Sequence, residues 1–222
     1  MGRLKKRLNA SDEAGFTIVE TMVVIVMLAI VLGVMYKGMD NISASTAGTQ
    51  ERLVNLEEAR VMMATVTKDL RTAARPDPNA APFELANARE LIFYANLGST
   101  SGPSKVHIFI DGENRIIEEV TQPDAGSAPN YTYTGPASVR AVGSYVVPNT
   151  QIFTYQYFNE TTASFVDLSA LPLSEADRKL VESIEVRISI RKSSTAATPP
   201  TTLVNRVRLP NVYYSPINQG QG

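Results

Sequence analysis

The sequence predicts an α+β fold in which one long N-terminal helix packs on a head made of an antiparallel β-sheet. Residues 16–36 are almost entirely apolar, so the first half of this helix is expected to span a membrane. Apolar residues then recur at helical spacing as far as Arg75, which predicts an amphipathic second half. From Phe83 onward the period changes to two, and no second strand–helix–strand unit follows. An antiparallel sheet over the outer half of the helix is therefore expected.

The apolar run from Phe16 to Tyr36 is interrupted only by two threonines, one glycine and the carboxylate of Glu20. At about 1.5 Å per residue it reaches roughly 30 Å, the thickness of the hydrocarbon core of a bilayer. Its many valines and isoleucines favour strands in water. In lipid, however, only a helix satisfies every backbone N–H and C=O within one segment. The sequence therefore predicts a transmembrane helix over residues 16–40.

Glu20 is the one acid within this run. A carboxylate at the centre of a spanning helix costs about 2.5–3.5 kcal/mol, and each Phe, Ile, Leu or Val offsets about 0.3–0.6 kcal/mol of it. In one interpretation Glu20 lies near the helix start and extends to the membrane interface. In the other it waits for a cationic partner, because a buried carboxylate and a buried amine offset each other's desolvation only when they pair. Such a pair would fix the axial register of packed helices.

Residues 1–15 form a polar leader ahead of the apolar run. It contains four basic residues, at positions 3, 5, 6 and 7, against the two acids Asp12 and Glu13. By the positive-inside rule the leader lies in the cytoplasm, and everything after Tyr36 lies on the other side of the membrane.

The pattern Gly15-Phe16-Thr-Ile-Val-Glu20, followed directly by an apolar helix, resembles the class III signal of type IV prepilins and type II secretion pseudopilins. The resemblance implies that a prepilin peptidase cuts between Gly15 and Phe16 on the cytoplasmic side, and that the new N-terminal Phe16 is methylated. It implies that Glu20 pairs with the terminal amine of a neighbouring subunit during fibre assembly. It also implies a pilin fold and a single-pass protein of the cytoplasmic (inner) membrane that later enters a filament.

The resemblance further implies a set of partners: other pilin or pseudopilin subunits, the prepilin peptidase, an inner-membrane assembly platform and membrane lipid. The competing interpretation is an ordinary secretory signal peptide cleaved after Ser45-x-Ala47. The apolar core argues against it, because secretory cores run to about 7–15 residues and this one is longer and contains an acid.

The amphipathic helix is predicted over residues 41–75. Its expected buried stripe combines large apolar residues with alanines, at Leu53, Leu56, Ala59, Met63, Val66, Leu70, Ala73 and Ala74. The charged residues are expected on the remaining faces, at Glu51, Arg52, Glu57, Glu58, Arg60, Lys68, Asp69 and Arg71. Pro76-Asp-Pro78 is expected to end the helix. Between Gly38 and Gly48 fraying or bending is expected, because glycine costs about 1 kcal/mol inside a helix.

The head is predicted over residues 76–214, with a disordered tail at residues 215–222. The predicted strands lie around Glu90–Ala95, Val106–Ile110, Arg115–Val120, Phe153–Tyr157, Ile184–Ile190 and Thr202–Leu209. Asp111-Gly112 predicts a hairpin turn between the second and third of these strands. Residues 122–136 and 193–200 are predicted as loops, and Leu171–Arg178 as a linker or short helical turn.

The order and size of these elements also resemble the larger minor members of the family, the J-type minor pseudopilins of type II secretion and the W-type minor pilins. The features that carry this likeness are loose: the helix end Lys68–Arg75, the hairpin at Asp111, the aromatic strand around Tyr155, and the strands Ile184–Ile190 and Arg206–Leu209. The likeness implies a structural minor subunit that assembles into or initiates a type IV pilus-like filament for secretion, DNA uptake or motility.

The composition argues against several other classes of function. Lys plus Arg total 21 against 22 for Asp plus Glu, so no basic field is available to hold nucleic acid, and no cysteine is present. His107 is interpreted as a polar residue on the outer face of a strand, and no Gly-x-Ser-x-Gly elbow or glycine-rich phosphate loop occurs. Asp111-Gly-Glu-Asn114 is interpreted as a turn and not a calcium loop, because Arg115 stands where an oxygen ligand is needed.

We therefore expect no catalytic residue, no metal or other cofactor and no sequence-specific contact with nucleic acid. Four arginines are interpreted as a charged solvent face, at Arg187, Arg191, Arg206 and Arg208. Two alternatives remain: a tip-located minor pilin that binds a ligand or DNA, and a membrane-tethered enzyme. The predicted loops 122–136 and 193–200 contain no Lys or Arg, which disfavours DNA binding.

Overall fold

The computed structural model describes residues 17–77, 79–99, 101–192 and 199–212. Its two helices are α1 (Ile18–Arg71) and α2 (Glu175–Leu180). The strands are β1 (Phe83–Ala86), β2 (Glu90–Ala95), β3 (Ser104–Ile110), β4 (Ile116–Thr121), β5 (Ala125–Ser127), β6 (Asn130–Thr132), β7 (Ser138–Gly143), β8 (Phe153–Asn159), β9 (Ser164–Leu168), β10 (Ser183–Ile190) and β11 (Thr201–Arg208). A long apolar N-terminal helix followed by antiparallel sheets is the predicted α+β, pilin-like architecture. The chain divides into two compact units, Met1–Thr49 and Gln50–Gly222.

The described part of the first unit is the beginning of α1, and its apolar side chains are exposed throughout. Mean hydropathy reaches 2.7 over its most apolar window, none of which is buried in the single chain, so its length and composition suit a membrane span. The helix continues unbroken through Gly38 and Gly48, so the expected fraying is not observed. There the hydroxyls of Thr46 and Thr49 donate to the carbonyls of Ile42 and Ser45, at 2.8 Å and 3.0 Å.

In the second unit, α1 contributes one face to the apolar core of the head. The face is centred on Ala59, Met62, Val66 and Leu70, all with no exposed surface, and Met63 lies beside it. The predicted stripe was wrong at its start, because Leu53 lies on the other side of the helix and is 58% exposed. Leu56 is half-buried, and Met62 was not predicted.

Two larger antiparallel sheets form the head, where a single sheet was expected. One has the order β1-β2-β3-β4-β7 and the other β11-β10-β8-β9, while β5 and β6 form a separate two-stranded sheet. The six predicted strands are confirmed, including the hairpin in which Ile110 pairs with Ile116 across the Asp111 turn. The prediction of a continuous loop over residues 122–136 was wrong, because β5 and β6 lie within it.

The end of α1 also differs from the prediction. The helix ends at Arg71 and does not continue to Arg75. Backbone pairing with β2 replaces the last turn: the Asn96 N–H donates to the Thr72 carbonyl at 2.9 Å, and the Ala74 N–H donates to the Tyr94 carbonyl at 2.7 Å. The strand contact therefore ends the helix before Pro76 can.

The two larger sheets share one core. The Tyr155 hydroxyl, on β8, donates to the Asn87 carbonyl between β1 and β2 at 2.8 Å. The Leu173 N–H donates to the Ala86 carbonyl at 2.9 Å, just before α2, where the predicted short helical turn is confirmed. Buried residues of α1 and of both sheets consequently form a single apolar cluster.

A close approach between α1 and β7 depends on Gly143. A Cβ at this position would collide with the Met62 side chain, so the glycine lets the helix and the strand pack directly. The Ser144 N–H then donates to the Glu58 carboxylate at 3.1 Å. This contact positions β7 along the helix.

A buried cluster of charges lies beside this contact. Asp69 on α1 and Glu118 on β4 are 3% and 2% exposed, and the expectation that Asp69 lies on a solvent face was therefore wrong. Arg140 on β7 donates to Glu118 Oε2 from Nη2 at 2.6 Å, and the same nitrogen lies 3.8 Å from Asp69 Oδ2. Burial and the neighbouring Glu118 carboxylate raise the pKa of Asp69 to about 6, although Arg140 opposes the shift.

Candidate assembly site at the start of the N-terminal helix

Thr17 and Glu20 form a capping box at the start of α1. The Glu20 N–H donates to Thr17 Oγ1, and the Thr17 N–H donates to Glu20 Oε2, both at 3.2 Å. The Thr17 hydroxyl also lies 3.2 Å from the same carboxylate oxygen. The spacing Thr-x-x-Glu and this reciprocal pair of bonds define a capping box.

The box satisfies backbone groups that the helix itself leaves unpaired. The first four N–H groups of any helix lack intrahelical acceptors, and in lipid no water replaces them. The Glu20 carboxylate also lies within the first turn, where the helix dipole stabilises negative charge. Glu20 therefore helps to begin the helix, a role that the sequence reasoning missed although the Thr17-x-x-Glu20 spacing signals it.

The Glu20 side chain stays accessible while it caps the helix, because Glu20 is exposed in the single chain. A cationic group from another molecule can therefore reach its carboxylate without displacing any packed side chain. The structure thus brings Glu20 together with Thr17, and it leaves the acid open to an external partner.

Next to Glu20 the helix presents an apolar groove. Val19, Met22, Val23, Val26, Met27 and Ile30 line it, and their alternating spacing of three and one places them along one side of the helix. Such ridges and grooves are what helices use to pack against each other. The groove can accept a lipid chain or another helix, which matches the predicted membrane location.

The other predicted residues of this site, Gly15 and Phe16, lie outside the described residues, as do the rest of the leader, most of the loop 193–200 and the predicted tail. Cleavage after Gly15 and methylation of Phe16 stay predictions.

In the head, His107 lies on the outer face of the five-stranded sheet between two carboxylates. Its ring nitrogens are 2.9 Å from Glu90 Oε1 and 3.1 Å from Glu119 Oε2, and its ring stacks on Phe109 at 4.5 Å. In the described part of the chain, no group of three or more His, Cys, Asp or Glu side chains is arranged to hold a metal ion. The cluster is therefore interpreted as an electrostatic contact between strands.

The Asp111 segment forms the predicted turn. Asp111 Oδ1 accepts the N–H groups of Glu113 and Arg115, both at 2.9 Å, and Oδ2 accepts Arg115 Nε at 2.7 Å. These bonds to the carboxylate, with the Arg115 N–H the largest cause, hold the pKa of Asp111 below its usual value. The Asp111 carboxylate therefore stabilises the turn through hydrogen bonds to residues of the turn itself.

Comparison with known protein families gives a match at the start of the chain. The family model described as the prokaryotic N-terminal methylation motif matches residues 10–36, a segment that includes Gly15, Phe16 and Glu20. No curated protein matches the chain. The motif, the exposed apolar helix and the antiparallel head together support a type IV pilin-like prepilin peptidase substrate that is anchored in a membrane by a single span.

Proposed function

We propose that this chain is a structural minor pilin or pseudopilin subunit, processed by prepilin peptidase, that assembles into or initiates a type IV pilus-like filament. The observation that carries the proposal is the match of the methylation motif to residues 10–36, which include the beginning of the exposed apolar helix α1. The chain acts by packing its helix against others and does no chemistry of its own. The leader lies in the cytoplasm, and the head lies outside the inner membrane.

Glu20 sets the register in this proposal. Cleavage after Gly15 would create a terminal amine on Phe16, and in a filament the amine of one subunit would lie beside Glu20 of its neighbour. Each group would otherwise be an uncompensated charge in an apolar environment, so misregister is penalised by several kcal/mol. Before assembly, the capping box keeps the carboxylate hydrogen-bonded within its own helix.

Mass spectrometry of protein extracted from membranes, with the peptidase present, tests the processing step. We expect a mature chain that begins at Phe16 and carries a methyl group on its N-terminus. An N-terminus near Gly48 would contradict the proposal and favour secretory cleavage.

Glu20→Gln tests the assembly step because it keeps the side chain's shape and removes its charge. The variant is expected to be cleaved normally and to insert more easily, by up to about 3 kcal/mol, yet to crosslink poorly to partner subunits. Glu175→Gln is the matched control, since the Glu175 side chain lies on α2 and is 67% exposed. Crosslinking of Glu20→Gln at the level of the parent would show that Glu20 only extends to the interface.

A further inference from the structure

A cleft opens in the head where three segments meet: the turn between β3 and β4, the segment that follows β7, and the end of β10. Its volume is about 430 Å³, and its lining includes Asn114, Tyr145, Val147, Pro148, Arg191 and Lys192. Ligand-binding clefts in proteins typically measure about 300–1,000 Å³, so this one has room for a small group or for a few side chains of a peptide.

Backbone hydrogen bonds hold the walls of the cleft in place. The Val146 N–H donates to the Asn114 carbonyl and the Arg191 N–H donates to the Tyr145 carbonyl, both at 3.0 Å. The Val147 N–H donates to the Ser189 carbonyl at 2.8 Å. The cleft is therefore preformed, and a ligand would not have to order its walls.

Unusual backbone conformations border the cleft. Asn114, Tyr145 and Asn149 have φ angles of 58°, 62° and 58°, and they are three of the four non-glycine residues with positive φ in the described chain. This region is disfavoured for a bulky side chain such as tyrosine. Strain of this kind persists only where surrounding contacts impose it, and it clusters at binding sites.

The cleft carries positive charge that nothing in the described residues neutralises. Arg191 is half-buried and Lys192 is exposed, and neither forms an ion pair with a described residue. Lys192 Nζ lies 5.4 Å from the centre of the Tyr145 ring. The acid in the lining is Glu113, whose side chain is 74% exposed and lies 3.0 Å from Arg115.

We propose that this cleft binds an acidic segment of a partner protein. A carboxylate of the segment pairs with the Arg191 guanidinium, whose planar set of donors matches a carboxylate, and Lys192 adds a second charge. An apolar side chain next to that carboxylate lies against Tyr145, Val147 and Pro148. These apolar walls, and Glu113 at the rim, suit a peptide better than the continuous negative charge of a nucleic acid. The proposal goes beyond the filament role and does not depend on it.

Fluorescence anisotropy with the full-length protein in detergent micelles tests the proposal. The probe is a labelled peptide of alternating Glu and Val, and the matched peptide has Gln at every Glu position. We expect saturable binding of the acidic peptide with a Kd below about 1 mM and no binding of the Gln peptide. Arg191→Gln should weaken binding about tenfold or more, since a charge-assisted contact is lost.

Two further variants separate recognition from general effects of charge. Arg187→Gln removes an arginine from β10, the strand that leads to Arg191. Because Arg187 is already paired with Glu185 at 3.2 Å, this variant should leave binding unchanged. Arg191→Glu should transfer the preference to a peptide of alternating Lys and Val. Unaltered circular dichroism would show that each variant folds.

Three results would overturn the proposal. One is the absence of saturable binding by the acidic peptide, and another is equal binding by the Gln peptide. The third is tighter binding of oligothymidylate with the same dependence on Arg191, which would assign the cleft to nucleic acid.

Discussion

Asp69→Asn is expected to stabilise the head above about pH 6 by up to about 3 kcal/mol. Asp69 is 3% exposed, and burial together with the nearby Glu118 raises its pKa to about 6 from an ordinary value of 3.8. Each pKa unit corresponds to about 1.4 kcal/mol, which gives the stated limit. Arg140 offsets only part of the cost of burying the Asp69 charge, because it lies 3.8 Å from Asp69 and donates its hydrogen bond at 2.6 Å to Glu118.

The sign of the pH dependence follows from which state holds the proton. Between about pH 4 and pH 6 the folded protein keeps Asp69 protonated while the unfolded chain has released that proton. The Asp69 contribution to the free energy of unfolding therefore falls as pH rises through this window. Above the window Asp69 is ionised in both states, and the full cost of burying its charge is present. Asn carries no titrating proton. The free energy of unfolding of Asp69→Asn should therefore equal that of the parent at about pH 4 and be larger than it at about pH 7.5.

Urea denaturation of a chain that lacks residues 1–36, followed by circular dichroism at both pH values, measures the effect. Glu57→Gln is the control, because Glu57 lies on the same helix with a 70% exposed side chain. This variant should leave the free energy of unfolding unchanged at both pH values. If Asp69→Asn were less stable than the parent at the higher pH, Asp69 would act as a net favourable partner of Arg140. Burial of the Asp69 charge would then cost less than its interaction with Arg140 contributes.

Three further predictions concern folding and the helix start. Removing residues 1–36 should leave a soluble monomer with both helix and sheet in its circular dichroism spectrum, and aggregation would contradict an independent head. Leu70→Ala should cost about 2–5 kcal/mol in urea denaturation, while Leu53→Ala at a 58% exposed position should stay within about 0.5 kcal/mol, and equal losses would contradict the assigned face. Thr17→Val should weaken the cap by about 1 kcal/mol and speed amide hydrogen exchange in the first turn in micelles. Thr21→Val is its control, because that hydroxyl donates to a carbonyl and caps no N–H, and equal exchange in both variants would rule out the cap.

Sequence reasoning succeeded where one local pattern determines the outcome. In β10, Ile184, Val186, Ile188 and Ile190 are completely buried, and their alternation with polar residues is visible without knowledge of any neighbour. β7 gave no such signal, because most of its residues are exposed, and no residue of β9 is fully buried. Such strands form because a neighbouring strand offers hydrogen bonds, which a short sequence window does not contain.

The same distinction applies to the functional residues. Glu20 is conspicuous because a charge inside an apolar run is a local anomaly. The burial of Asp69 depends on contacts with β4 and β7, and the cleft joins Tyr145 to Arg191 from separate parts of the chain. Only the strand register brings these residues together, so composition and spacing alone assigned Asp69 and Arg191 to a charged surface.

In the proposed assembly, the Glu20 carboxylate exchanges Thr17 for an incoming amine, and the capping box affects the rate of this exchange. A bare carboxylate in lipid would be a high-energy intermediate, and any exchange through it would be slow. At Glu20 one oxygen, Oε2, accepts from both the N–H and the hydroxyl of Thr17, which leaves the other oxygen free to receive an incoming amine. The new contact can therefore form before the old ones break. In the proposed filament, this overlap of contacts would lower the activation barrier both for docking a subunit and for releasing it.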